Sequence, residues 1–123
     1  RGRFKGVTPR LLPMLIHPDR LGDEELTGTI MEMAERTGKK AFLRQQNAIL
    51  KRIDSRPHLP TIRCPTLVLC GRQDAITPLE AHQEMADAIP RASLFVIEDC
   101  GHLAPLEKPE QVNAAMRDWL QIS

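Results

Sequence analysis

The chain has 123 residues, 41% of them hydrophobic and 27% charged, with a formal net charge of +1 at pH 7. That length fits one ordinary domain, able to bury about two thirds of the surface its unfolded form exposes. The near-neutral balance leaves no electrostatic footprint for nucleic acid or an anionic membrane, and no apolar run reaches transmembrane length.

The three cysteines are an odd number without paired spacing, and no signal peptide opens the sequence. Both features point to a reducing cytoplasm rather than a disulfide scaffold. The start, Arg1-Gly2-Arg3-Phe4, carries no Met, which agrees with a fragment or a processed product.

In chain order, residues 1–10 read as irregular. A short helix is predicted from near Thr8, with Pro9 at its first position and a bend or break at Pro13. His17 to Gly22 reads as a turn. Asp23 can cap a second helix whose inward face is Leu26, Ile30, Met33, Ala34 and Thr37, with Gly38 as its terminator. A third helix is predicted over 39–53, with Phe42, Gln46, Ile49, Leu50 and Ile53 inward. Residues 54–60 read as a linker.

Thr66 to Cys70 is a short apolar run between Pro65 and Gly71, as expected of a parallel strand buried on both faces. Thr77-Pro78-Leu79-Glu80 has the form of a capping box opening a helix that reaches about Ile89 and stops at Pro90. Ala92 to Ile97 is a second buried strand. Strand, helix and strand make one right-handed crossover, so both strands end on the same edge of the sheet. Asp74 follows the first strand and His102 the second, which predicts that they meet within roughly 2.6–3.2 Å. A last helix starts at Pro109 and carries the stripe Val112, Ala115, Met116, Trp119 and Leu120.

A carboxylate beside an imidazole fixes the ring's tautomer and stabilises its protonated form, which frees the other ring nitrogen to act as a base. Other chemistries find less support. Cys100 and His102 make C-x-H, while His17, His58, His82, Cys64 and Cys70 are scattered without C-x₂-C or H-x₃-H spacing, so no metal is expected. No dinucleotide fingerprint or phosphate loop is present, and no cofactor is expected. Asp99 is a second acid near His102, read as a surface or capping group. Cys70 and Cys100 read as small buried hydrophobes.

Two stretches, Cys64-Pro65-Thr66-Leu67-Val68-Leu69-Cys70-Gly71-Arg72-Gln73-Asp74 and Gly101-His102-Leu103-Ala104-Pro105-Leu106-Glu107-Lys108-Pro109-Glu110, resemble the α/β-hydrolase family. The resemblance runs from about Ile62 to Leu120. It implies an α/β fold made of the carboxyl-terminal portion of that family's core, with short parallel strands flanked by helices and a helical cap segment. In the family's order of nucleophile, acid, histidine, Asp74 matches the acid and His102 the histidine. Residues 1–57 match a cap segment and 58–123 the core.

The nucleophile is not matched. The serines are Ser55, Ser93 and Ser123, and none sits in a G-x-S-x-G elbow. The implied function is part of a serine-type hydrolase acting on a small ester, thioester or amide-like substrate. The other reading is a catalytically inactive domain that self-associates or binds a partner through its helices. Because the first strand would leave one edge unpaired, a homo-oligomer formed through that edge or through the cap helices is expected.

Overall fold

The computed structural model describes Phe4 and residues 6–122. Its elements are α1 (Leu12–Leu15), α2 (Glu24–Lys51), β1 (Thr66–Gly71), α3 (Leu79–Ala88), β2 (Ala92–Ile97), α4 (Ala104–Glu107) and α5 (Pro109–Ile122), with 3₁₀ turns at Pro18–Arg20 and Arg56–Thr61. The irregular start expected for residues 1–10 falls partly on residues 1–3 and 5, outside the described residues.

β1 and β2 pair in parallel, with Thr66 opposite Ala92 and Gly71 opposite Ile97. This is the crossover that the apolar runs predict, with α3 packed on both strands and α5 on β1. Burial is less complete than a two-sided core requires. Val68 and Cys70 are buried, but Phe95, the register partner of Leu69, is 41% exposed. α5 lies over β1 and leaves that part of β2 open.

The helical segment departs from expectation in two places, at Pro13 and on the face of the third helix. Pro13 does not break a helix. It sits in the first turn of α1, where its missing N–H has no intrahelical partner to lose. Asp23 caps α2 as predicted, its Oδ1 accepting from the Leu26 N–H at 3.1 Å. The second and third helices are separated at Gly38 as predicted, making two arms of α2: its φ of 80° and ψ of 166° belong to a region that only glycine enters freely. Beyond that break the predicted inward face is not inward: Ile49 is 51% exposed, Leu50 85% and Ile53 70%, and Gln46 is exposed. The apolar period is real, but among the described residues little covers it. Phe42 has a ring partner in Phe4, with centroids 5.4 Å apart.

Two clusters form the core. Leu12, Leu15, Ile16, Leu26 and Ile30 make one, and Leu103 and Leu106 pack against it. Ile97, Cys100, Ala104 and Val112 make the other, joined by Leu69. The loop after β2 therefore touches both. Trp119 reads as a packing residue here too, half-buried, with its indole N–H donating to the Pro65 carbonyl at 3.2 Å.

Candidate active site

The site is built where the two strands end. After Gly71 the chain turns tightly, the Asp74 N–H donating to the Gly71 carbonyl at 3.2 Å. The following loops are laced together. Arg72 N–H donates to the Ile97 carbonyl and Gln73 N–H to the Cys100 carbonyl, both at 2.9 Å. Gln73 Oε1 accepts the Cys100 N–H at 3.0 Å, so one glutamine closes a two-way link to the histidine loop. Gly71 is needed for this approach, since a β-carbon there would collide with the carbonyl oxygens of Gly101 and Cys100.

Asp74 and His102 meet as the topology predicts. His102 Nδ1 lies 3.1 Å from Asp74 Oδ1 and 3.0 Å from Oδ2. The carboxylate is 8% exposed and held from three more directions. Ile76 and Thr77 donate backbone N–H groups to Oδ1 at 3.0 and 2.9 Å, and the Thr77 hydroxyl donates to Oδ2 at 3.0 Å. Burial works to raise this carboxyl, but the bonds from the Thr77 backbone, from His102 and from the Thr77 hydroxyl together outweigh it and hold it below its ordinary value. The charged acid then keeps the neutral ring's proton on Nδ1. The His102 side chain is 32% exposed, and its Nε2 makes no hydrogen bond among the described residues. A ring oriented on one side and open on the other is the geometry of a proton acceptor.

Thr77 corrects the capping-box expectation. It does not cap α3, which has no side-chain cap and takes Pro78 at that position. Its hydroxyl is drawn to the buried charge of Asp74, a stronger acceptor site than a helix-end N–H offers a donor. Asp99 stands apart from His102 as an exposed loop residue at φ 52°, with Oδ1 3.9 Å from His17 Nε2. Ser93 lies on β2 near its amino end, the end of the sheet away from His102, and Ser55 is exposed before the Arg56–Thr61 turn.

Cys70 and Cys100 are 2% and 0% exposed. Burial pushes both thiols up, with the Asp74 charge adding at Cys70 and the Glu107 charge at Cys100, whose thiol is pushed up to about 12. Neither offers a thiolate near neutral pH. Cys70, Asp74 and His82 bring ligand-type atoms within 4.8 Å of one another. Each is already engaged: the Cys70 thiol donates to the Gly71 carbonyl, Asp74 accepts from four groups, and His82 Nδ1 lies 3.2 Å from the Pro78 carbonyl. Surface hollows lie elsewhere, among them one along α3 at Leu79, Gln83 and Asp87 and one at the strands' amino ends by Pro65, Phe95 and Trp119.

Glu107 is a supporting residue that the sequence reading noted only as part of a motif. It is 3% exposed, and its Oε1 accepts the N–H groups of Gly101 at 2.9 Å and His17 at 2.7 Å. A glutamate at a short helix's end carries no signal of burial. Only the steps of three and four residues back to Ala104 and Leu103, both packed inward, hint at it.

The comparisons with known proteins agree with this architecture. The solved structure of an esterase from Thermogutta terrifontis superposes with a TM-score of 0.86 at 36% identity, covering 91% of this chain and 42% of the other. An enol-lactonase from Burkholderia xenovorans LB400 shares the fold, with a TM-score of 0.78 at 22% identity over 91% of this chain and 43% of that one. RutD of Escherichia coli O1:K1, a protein assigned by name to the carbamate hydrolases, is 33% identical over 90 residues, 73% of this chain. The chain spans about a third of RutD's length, 34%, and about two fifths of the two solved structures. The model of the alpha/beta hydrolase fold matches residues 26–109, more than half of the sequence, and the chain belongs to that family.

Proposed function

We propose that this chain supplies the acid and histidine of a serine-type α/β hydrolase, with Asp74 orienting His102 and His102 acting as general base. The observation that carries the reading is the Asp74–His102 contact at 3.0–3.1 Å, on an acid fixed by Thr77 and a ring whose Nε2 is open. The nucleophile would be a serine from a part of the fold outside these 123 residues. In that scheme His102 Nε2 takes the proton of the serine hydroxyl as the oxygen bonds to the substrate carbonyl carbon. The imidazolium, stabilised by Asp74, then returns the proton to the leaving group as its bond to that carbon breaks. Water repeats the exchange and releases the acid.

A small ester, thioester or amide-like substrate is the class we favour. The esterase and carbamate-hydrolase names of two relatives support acyl-type chemistry. Fold likeness alone would not. The test is a longer form of the protein carrying an upstream G-x-S-x-G elbow, assayed on activated esters of short acids. Asp74→Asn and His102→Ala are expected to lower kcat by about 10⁴, the scale of triad disruption. Turnover in His102→Ala within tenfold of the parent would overturn the assignment.

A second reading is a non-catalytic module that associates through its helices, favoured by the apolar residues left bare on α2. For the isolated chain both readings predict no acyl-enzyme burst and turnover below roughly 1 s⁻¹. Activity of the longer form decides.

A further inference from the structure

Two carboxylates are buried among the described residues, and the proposed chemistry uses only Asp74. The other, Glu107, has an arrangement that calls for its own account. Oε1 accepts from two N–H groups far apart in sequence, Gly101 at 2.9 Å and His17 at 2.7 Å, while Oε2 is buried without a partner. Burying a carboxylate with one oxygen unsatisfied is costly. An apolar side chain of similar size would avoid that cost but could not accept either N–H.

The two donors belong to different pieces of the molecule. Gly101 immediately precedes His102. His17 ends the segment that leaves α1. Three other contacts follow the same seam: Leu103 N–H donates to the Leu15 carbonyl at 3.0 Å, Arg20 Nη1 donates to the Glu107 carbonyl at 2.7 Å, and a β-carbon at Gly101 would stand 2.9 Å from Ile16 Cα. The histidine loop is thus pressed against the Leu15–His17 segment, and the Glu107 carboxylate accepts from the backbone of both sides.

We propose that Glu107 is a positioning residue that fixes the histidine loop to the amino-terminal helical segment, so that the seating of that segment sets where the His102 ring stands against Asp74. Its consequence for turnover rests on the reading of His102 as the base. Its structural content does not, since it concerns the position of a ring.

The backbone offers a selective test. His17 has φ −58° and ψ 138°, and Ile16 has φ −133° and ψ 164°. Proline fits the first conformation, and the second suits a residue before proline. His17→Pro therefore removes the N–H that Glu107 accepts, while His17→Ala keeps it; both lose the imidazole with its bond from the Asp19 N–H at 3.0 Å and its approach to Asp99, so His17→Ala is the reference. The readouts on the 123-residue chain are the His102 Nδ1–H resonance and amide exchange at Gly101 and Leu103. His17→Ala should keep the hydrogen-bonded Nδ1–H signal and sets the baseline for His17→Pro. His17→Pro should shift or broaden the Nδ1–H signal and speed both amides by about tenfold, the scale of one lost hydrogen bond. Glu107→Gln, which keeps an acceptor oxygen, should retain the signal, and Glu107→Leu should lose it.

If His17→Pro does not fold, exchange in the parent chain decides. The His17 and Gly101 amides should open together, with the same denaturant dependence. An unmoved His102 signal in folded His17→Pro, or His17 exchanging a hundredfold faster than Gly101 in the parent, overturns the proposal. An intact clamp in a longer form whose activity survives His102→Ala would instead count against the base assignment alone.

Discussion

Asp74 illustrates how one buried charge organises its neighbourhood. Four donors converge on it, and each favours the ionised form against the burial that opposes it. A carboxyl held below its ordinary value near 3.8 adds stability that is complete above that value and is lost as pH falls through the lower folded one. The parent chain should therefore lose stability below about pH 4 more steeply than Asp74→Asn does. Urea midpoints of the two chains at pH 7, 4.5 and 3 measure this, and the difference between them removes the contribution of the other carboxylates. At pH 7 Asp74→Asn should itself cost about 1–3 kcal/mol, because a buried donor set loses its charged acceptor. Parallel pH curves for the two would mean that the Asp74 charge is not what the turn is built on.

Among the elements, β1 and the two loops at its end carry the most constraint. Gly71 closes β1 where the backbone of the histidine loop lies too near for any side chain, and the obstructing atoms are carbonyls of Cys100 and Gly101 rather than flexible groups. Gly71→Ala should therefore destabilise the chain by about 1–3 kcal/mol. It should also part Asp74 from His102, seen as loss of the hydrogen-bonded Nδ1–H signal. A Gly71→Ala chain with parental stability and an unchanged ring signal would show that the loops have slack that the structure does not display. α2 behaves differently. Its first arm buries Leu26 and Ile30, whereas beyond Gly38 the helix buries almost nothing.

Across the molecule as a whole, one strand edge is unpaired and one apolar strip is exposed. Among the described residues β1 pairs only with β2, and Leu43, Ile49, Leu50 and Ile53 stand exposed at and beyond the carboxyl-terminal end of α2. A two-stranded sheet with one edge unpaired among the described residues, and an exposed apolar strip on the helical segment, favour association. We propose that the isolated chain self-associates. Val68 is 7% exposed, so a lysine there would report unfolding as much as dissociation. Leu50→Lys and Ile53→Lys are better probes, because these side chains are 85% and 70% exposed. Sedimentation should show a dimer or larger species, shifted toward monomer by the paired substitution. A parent chain that sediments as a monomer at high micromolar concentration would rule this out. No helix among the described residues is long and apolar enough to cross a membrane.

The pairing of Asp74 with His102 was legible in the residues themselves. Two apolar runs of strand length, a helix between them and a Gly or Pro at each boundary leave one handed connection, and parallel strands must end on one edge. The loops that follow are short, so a residue just past each strand has little room to go elsewhere. The Asp23 cap and the break at Gly38 were legible for the same reason, since each depends on backbone chemistry within a few residues. Thr77, Gln73 and Glu107 were not. The Thr77 hydroxyl had two acceptable roles locally, and the nearby buried charge of Asp74 decided between them. Gln73 meets Cys100 across 27 positions and Glu107 meets His17 across 90, distances at which no local pattern survives. The third predicted helix shows the converse. Its period was read correctly, but a period states only which residues share a face, and whether that face is buried depends on what the rest of the fold sets against it.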